Sequence, residues 1–116
     1  MSVEAAISEG DIMSSLPGKL VRNKIAERIQ ARGQIPIMTT ADPAQRYSYL
    51  HAKLQEELDE YITSGDPNEL ADLIAVCFAA ASLHGLASRQ LLTLVRDKEQ
   101  THGDFSQWCV WLGNQD

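Results

Sequence analysis

Cysteine, histidine and aromatic residues are all scarce in this 116-residue chain, and each scarcity closes off a class of protein. The two cysteines, Cys77 and Cys109, stand far apart with no CxxC and no Cys/His pairing at metal-ligand spacing. That argues against a disulfide scaffold or a structural zinc site, and both read as reduced thiols in a cytoplasmic protein. The three histidines, His51, His84 and His102, share no ligand spacing either and read as structural. No segment approaches eighteen uncharged apolar residues, and the N-terminus has no basic stretch leading into an apolar one, so neither a membrane span nor a secretory signal is expected. Basic residues are outnumbered: ten Lys and Arg against sixteen Asp and Glu leave a net charge of -6. Such a chain repels polyanions, so neither a nucleic-acid polymer nor an anionic membrane is expected as a partner.

What is present is helical periodicity. With 44% hydrophobic residues the chain has enough apolar material for one compact domain, and its length makes two improbable. Residues 1–16 read as a loose acidic leader in which Met13 is an alternative start, and residues 17–116 as a single all-α domain. KLVRNKIAERIQARG, from Lys19, sets Leu20, Ile25 and Ile29 on one side of a first helix that Gly33 ends. GQIPIMTTADP, with Pro36 and Pro43, reads as an extended connection. A second helix is expected from about Ala44 to Ser64, with Tyr47, Leu50, Leu54, Leu58 and Tyr61 on one stripe.

Gly65 closes that helix, and Asp66 and Pro67 open a third as N-cap and first helical residue, with Glu69 where a capping box places its acid. From Leu70 to Leu83 the third helix is apolar nearly all round, the pattern of a helix buried on most sides. A fourth is expected over Ala87–Thr101, and the tail FSQWCVWLG alternates like a short strand or clamp. The whole reads as a four-helix bundle with an extended tail, completed by dimerisation because four helices of this length cover the third one poorly.

Acidic residues cluster around Gly65. Glu60 lies five residues before it and Glu69 four after, while Glu57 lies eight before and Asp72 seven after. In an antiparallel hairpin those are two matched rungs roughly 4.5 Å apart along the axes, and each i, i+3 pair shares a face. Glu69 and Asp72 fall in the same arc as Val76, Ala80 and Leu83, inside the apolar surface of the third helix, and Glu57 lies at the edge of the stripe on the second. Lys53 sits between Glu57 and Glu60 on that flank, within i, i+4 reach of Glu57, and Glu56 points most nearly to solvent. Carboxylates gathered beside apolar surface must protonate, find basic partners or bind a hard cation such as Mg²⁺. Capping explains Glu69, and a solvated face explains Glu56 with Glu60. Asp72 has no such explanation, because Asp is a poor helix former and stands six residues past the N-cap.

These residues resemble a known family. KLQEELDEY (Lys53 to Tyr61) followed by NELADLIAV (Asn68 to Val76) is similar to the EExxE and ExxD motifs of the MazG-like nucleotide pyrophosphohydrolases, an all-α group that includes the phosphoribosyl-ATP pyrophosphohydrolases. KLVRNKI (Lys19 to Ile25) resembles the KLVRDKI opening of small members, and RDKEQTHGDF (Arg96 to Phe105) their K-x-x-x-R-G-G-F closing segment. The chain departs from those patterns at Asn23 and at His102, Gly103 and Asp104, and has eight residues between Glu60 and Glu69.

The resemblance implies a Mg²⁺-dependent enzyme, with Mn²⁺ able to substitute, that cleaves a nucleoside triphosphate to the monophosphate and pyrophosphate. It implies a homodimer or a dimer of dimers. Carried over by position, Glu57, Glu60, Glu69 and Asp72 hold the metal, Glu56 is an auxiliary acid, and Glu57 is also the candidate base. Arg22, Lys24, Lys53, Arg96 and Lys98 are candidates for phosphate contact. Trp108 and Trp111 suit either base stacking or packing. The alternatives are a phosphoribosyl-ATP hydrolase and a non-catalytic helical interaction module of the same fold.

Overall fold

A computed structural model describes residues 16–116; Met13 and the rest of the leader up to residue 15 lie outside the described residues. Four α-helices and one 3₁₀ turn account for the regular structure among them, with no strand. They are α1 (Ile25–Ala31), α2 (Arg46–Ser64, preceded by the 3₁₀ turn Pro43–Gln45), α3 (Pro67–Leu83) and α4 (Ser88–His102). The expected all-α class and helix order are found.

The α2–α3 hairpin is the main packing unit, and its turn is built from four consecutive residues. Gly65 takes the left-handed conformation at φ 67°, and its N–H donates to the Tyr61 carbonyl at 2.7 Å. Ser64 Oγ accepts from the Asp66 N–H at 3.0 Å, and the Asp66 carboxylate accepts from the Asn68 N–H at 2.9 Å. Pro67 then occupies the first turn, where no partner is needed for a backbone N–H. With the link so short, α3 must run back along α2.

The first helix is shorter than the expected Lys19-to-Gly33 segment. Residues 19–22 are not helical, and their side chains reach across to the hairpin: Lys19 bonds Glu56 and Arg22 bonds Asp72. Leu20 and Val21 are half-buried beside them. These long-range contacts hold the segment out of the helix that its periodicity favours. Gly33, at φ 82°, ends α1 as expected.

Within one chain the core is thin. Among the described residues Leu50, Val76 and Ala81 are the buried apolar ones, and one charged residue, Glu57, is buried with them. α3 is covered by α2 along its length but by α4 only lightly, since the axis turns by 104° between α3 and α4. The expectation that α3 is buried on most sides is therefore not met in a single chain: Ile74 is 52% exposed. The tail does not form a strand either, because an all-helical chain offers it no strand to pair with. It begins with a turn in which Asp104 accepts from the Ser106 N–H and hydroxyl, and then runs out exposed. Among the described residues no single helix is long and apolar enough to cross a membrane.

The hairpin turn gives a direct test. A Cβ added at Gly65 meets nothing within 4 Å, so Gly65→Ala adds no clash and costs only the left-handed conformation, about 1 kcal/mol. The expected result is a melting temperature lower by about 5 °C with unchanged helical circular dichroism.

Candidate metal centre

Glu57 lies on α2 seven residues after the buried Leu50, two helical turns along the same stripe, and this places it inside the hairpin at 6% exposure. Glu69 lies one turn into α3 and Asp72 the next turn on. Each of these three carboxylates offers an oxygen within 4.8 Å of the other two. Glu60, one turn beyond Glu57, is exposed and stands outside this tight set, at its edge. Three of the four expected ligands are therefore brought together.

Glu69 does not act as a capping-box acid. The Asp66 N–H that it would accept from is taken by Ser64 Oγ, which leaves the Glu69 carboxylate free to turn toward Asp72 and Glu57.

Cations sit around the acids. Lys53, one turn before Glu57 and 16% exposed, places Nζ 3.3 Å from Glu57 Oε2 and 3.2 Å from Glu56 Oε1. Glu56, expected to point to solvent, is instead half-buried and also accepts from Lys19 Nζ at 3.1 Å. The methylene stems of both lysines reach it, which spacing along α2 alone does not reveal. Arg22 donates to Asp72 Oδ1 at 2.6 Å. Lys24, Arg96 and Lys98 are exposed and form no ion pair among the described residues. Arg96 and Lys98 lie on α4, which contributes nothing to the cavity beside the acids.

Sequence reasoning missed Lys19 as a partner of the site. Its place in KLVRNKI was visible, but the fold that brings it to Glu56 was not.

The titration of these groups follows from their neighbours. Burial alone would lower the Lys53 pKa, but the hydrogen bonds and negative charge of Glu56 and Glu57 outweigh it and hold the ammonium above its ordinary value. Burial would raise Glu56, yet Lys19 and Lys53 hold it below the ordinary value. Glu69 is raised by loss of water, by the Asp72 carboxyl beside it and by the charges of Glu60 and Glu57. Glu60 is raised by loss of water and by the charges of Glu57 and Glu56. The acids on the outer side of the cluster thus repel one another without enough positive charge to compensate.

One atom stands out. Glu57 Oε2 has Lys53, but Oε1 is buried and has no hydrogen-bond partner among the described residues. An unpartnered buried carboxylate oxygen costs on the order of 1–3 kcal/mol, and its natural complement is a cation. Octahedral Mg²⁺ holds oxygens at about 2.1 Å, so its ligand oxygens lie about 3.0–4.2 Å apart. From the observed limit of 4.8 Å, the three oxygens reach those separations by closing by up to about 2 Å, or with a water between. The donor set, all oxygen and all anionic, fits a hard divalent ion.

Beside the acids lies a cavity of about 180 Å³ lined by Leu20, Val21, Leu50, Ala75, Val76 and Ala79 together with Arg22, Lys53, Glu57 and Asp72. It is an apolar pocket with two cations and two carboxylates converging on it.

No family model, no curated protein and no solved structure matches the chain. The site must accordingly be read from its own geometry.

Two outcomes test that geometry. Lys53→Met leaves Glu57 buried without a counter-charge and should cost about 3 kcal/mol in urea denaturation. Adding Glu57→Gln to it should recover most of that loss, and Mg²⁺ should stabilise the single variant more than the wild type.

The second outcome is a pH profile. A raised carboxyl pKa means the contribution of Glu60 and Glu69 to stability is fully present below their ordinary value of 4.5 and is lost as pH rises through the raised value. Glu56, lowered, contributes in the opposite sense: its stabilisation is present above 4.5 and lost as pH falls through the depressed value. The metal-free protein should thus melt higher as pH is taken from neutral toward 4.5, and Glu69→Gln should flatten that rise. Mg²⁺ should raise the melting temperature at neutral pH and lose its effect as the acids protonate.

Proposed function

We propose that the protein is a Mg²⁺-dependent nucleoside triphosphate pyrophosphohydrolase, releasing pyrophosphate and the nucleoside monophosphate. The observation that carries this reading is Glu57, with one buried carboxylate oxygen unpartnered among the described residues, gathered with Glu69 and Asp72 beside an apolar cavity with two cations. The ordered resemblance of KLQEELDEY, NELADLIAV and KLVRNKI to the MazG-like motifs supports it independently.

Each residue has a task in this scheme. Glu57, Glu69 and Asp72, with Glu60 at the edge, would hold the ion. Bound there, Mg²⁺ would neutralise part of the triphosphate charge and lower the pKa of the attacking water. Glu57 is the acid best shielded from solvent and would also be the base for the attacking water, with the Lys53 ammonium on its Oε2 keeping the carboxylate oriented. Arg22 and Lys53 are placed to donate to phosphate oxygens once their present partners turn to the metal. The apolar lining of the cavity receives the uncharged part of the nucleotide. Phosphoribosyl-ATP offers the same triphosphate chemistry and belongs in the same assay.

A second reading has its own observation. Arg22 on Asp72 and Lys53 on Glu57 already neutralise two of the three clustered acids, as they would in a metal-free helical interaction module.

The deciding experiment incubates the purified protein with a panel of nucleoside triphosphates and phosphoribosyl-ATP in the presence of Mg²⁺ and measures pyrophosphate release. Activity supported by Mg²⁺ or Mn²⁺, abolished in Asp72→Asn at unchanged helicity and largely kept in Glu56→Gln, is the expected result. No pyrophosphate from any of them, with the protein folded, would leave the module reading in its place.

A further inference from the structure

A second cavity, of about 230 Å³, lies between the segment Gly18 to Leu20 and the α2 residues Tyr49, Ala52, Lys53 and Glu56. Leu20 and Lys53 line both this cavity and the one beside the acids. Neither cavity reaches the roughly 300 Å³ at which pockets for small organic ligands begin, whereas together they hold about 400 Å³. Lys53 belongs to the hairpin and is held there by Glu56 and Glu57, so Leu20 is the movable part of the shared wall.

Leu20 is carried on a strap, residues 17–22, that belongs to no helix and crosses the hairpin. Three fastenings hold it. The Tyr49 hydroxyl donates to the Pro17 carbonyl at 2.6 Å, Lys19 Nζ donates to Glu56 Oε2 at 3.1 Å, and Arg22 donates to Asp72 Oδ1 at 2.6 Å. The first two end on groups outside the cluster of three acids, and the third ends on one of its members. The Arg22 and Asp72 side chains are 62% and 38% exposed, and an ion pair so open to water shifts an equilibrium by about fivefold at most. Past Arg22 the chain enters α1, which packs against no other helix among the described residues, so that end of the strap swings without breaking helix packing. Leu20 and Val21 are only half-buried, and leaving the wall exposes little further apolar surface.

The geometry points to a strap that keeps one ligand chamber divided until a divalent cation arrives. An ion that takes Asp72 frees Arg22, the Arg22 end swings out while Tyr49 keeps the Pro17 end in place, Leu20 leaves the wall, and the two cavities join. Arg22 is the latch and Leu20 the partition. The joined chamber has apolar walls on one side and Tyr49, Lys19 and Glu56 on the other, a lining for a polyphosphate whose organic part carries both apolar surface and hydrogen-bonding edges. Cation binding then precedes ligand entry. The inference rests on the metal binding of the proposed function, and its test separates the two.

Chymotrypsin cleavage after Leu20 reads the lifted strap, and cleavage after Phe105, 92% exposed, is the internal standard. Proteolysis of a rapidly opening segment follows the population of its open form. On the metal-free full chain, Arg22→Ala and Asp72→Asn should each speed cleavage after Leu20 about fivefold at unchanged helicity. Arg28→Ala, which removes the same charge from the exposed side of α1, should not. Mn²⁺, its binding followed by electron paramagnetic resonance, should speed the wild-type cleavage by a similar factor and add nothing in the two variants. Arg22→Ala should bind Mn²⁺ about fivefold more tightly than the wild type. Cleavage that neither substitution changes overturns the inference. Mn²⁺ that binds while the strap stays protected overturns it and leaves the hydrolase reading in place, and failure of Mn²⁺ to bind either the wild type or Arg22→Ala overturns it as well. Mn²⁺ that opens the strap in a protein releasing no pyrophosphate upholds the inference and removes the hydrolase reading.

Discussion

A carboxylate buried between two helices is the constraint around which the described structure is arranged. Glu57 sits where the stripe of α2 calls for an apolar residue, and a charge at that depth is tolerated only with compensation. Lys53 supplies part of it from the preceding turn, at a distance that fixes its own ammonium between two acids. The remainder does not come from the described side chains, since among them Oε1 has no donor and the next neighbours, Glu69 and Asp72, are acids themselves. Arg22 reaches Asp72 from a segment far away in sequence, and Lys19 reaches Glu56, so the segment 19–22 is tied down by the same excess of negative charge.

That arrangement explains why one face of the hairpin is polar where it is buried and the other apolar where it is exposed. A helix has a limited circumference, and acids directed to the interior of α2 and α3 displace apolar residues toward the flanks. Leu58, Ile62, Leu70 and Ile74 occupy those flanks. The three buried apolar side chains among the described residues make a small core to set against conformational entropy. Polar chemistry inside the hairpin and exposed apolar surface on its flanks are in this sense two consequences of one choice of residues.

Much of this was legible in the sequence, and the limits of legibility have physical causes. Gly65, Asp66 and Pro67 announce the turn because each acts through its own backbone, and α2, α3 and α4 were placed to within a residue or two. The convergence of Glu57, Glu69 and Asp72 follows from counting out from that turn, which is arithmetic on helical rise. Glu69 looked like a cap because position alone defines a capping box, whereas Ser64 decided the matter by a side-chain bond. The reach of Lys19 and Arg22 was not legible, since it depends on where a non-helical segment crosses the hairpin. Nor was the angle of α4: the link after Leu83 contains Gly85, and a glycine permits a change of direction without specifying it. Arg96 and Lys98 followed α4 away from the acids for that reason.

The charges of the site also bear on how it changes state. Lys53 and Arg22 each hold one of the acids that the proposed ion would need. A divalent ion bound there would bring two positive charges to the place where Oε1 lacks a partner, and would compete with Arg22 and Lys53 for carboxylates while removing the repulsion that raises Glu69. The two basic side chains, once outcompeted, would stand beside the cavity without those acids and gain an affinity for anions. Cation and anion binding would then be coupled through the same carboxylates, each strengthening the other by an equal factor. Under the proposed function, a site built in this way would favour a ligand that brings both charges together, as a metal-chelated polyphosphate does, over either ion presented alone.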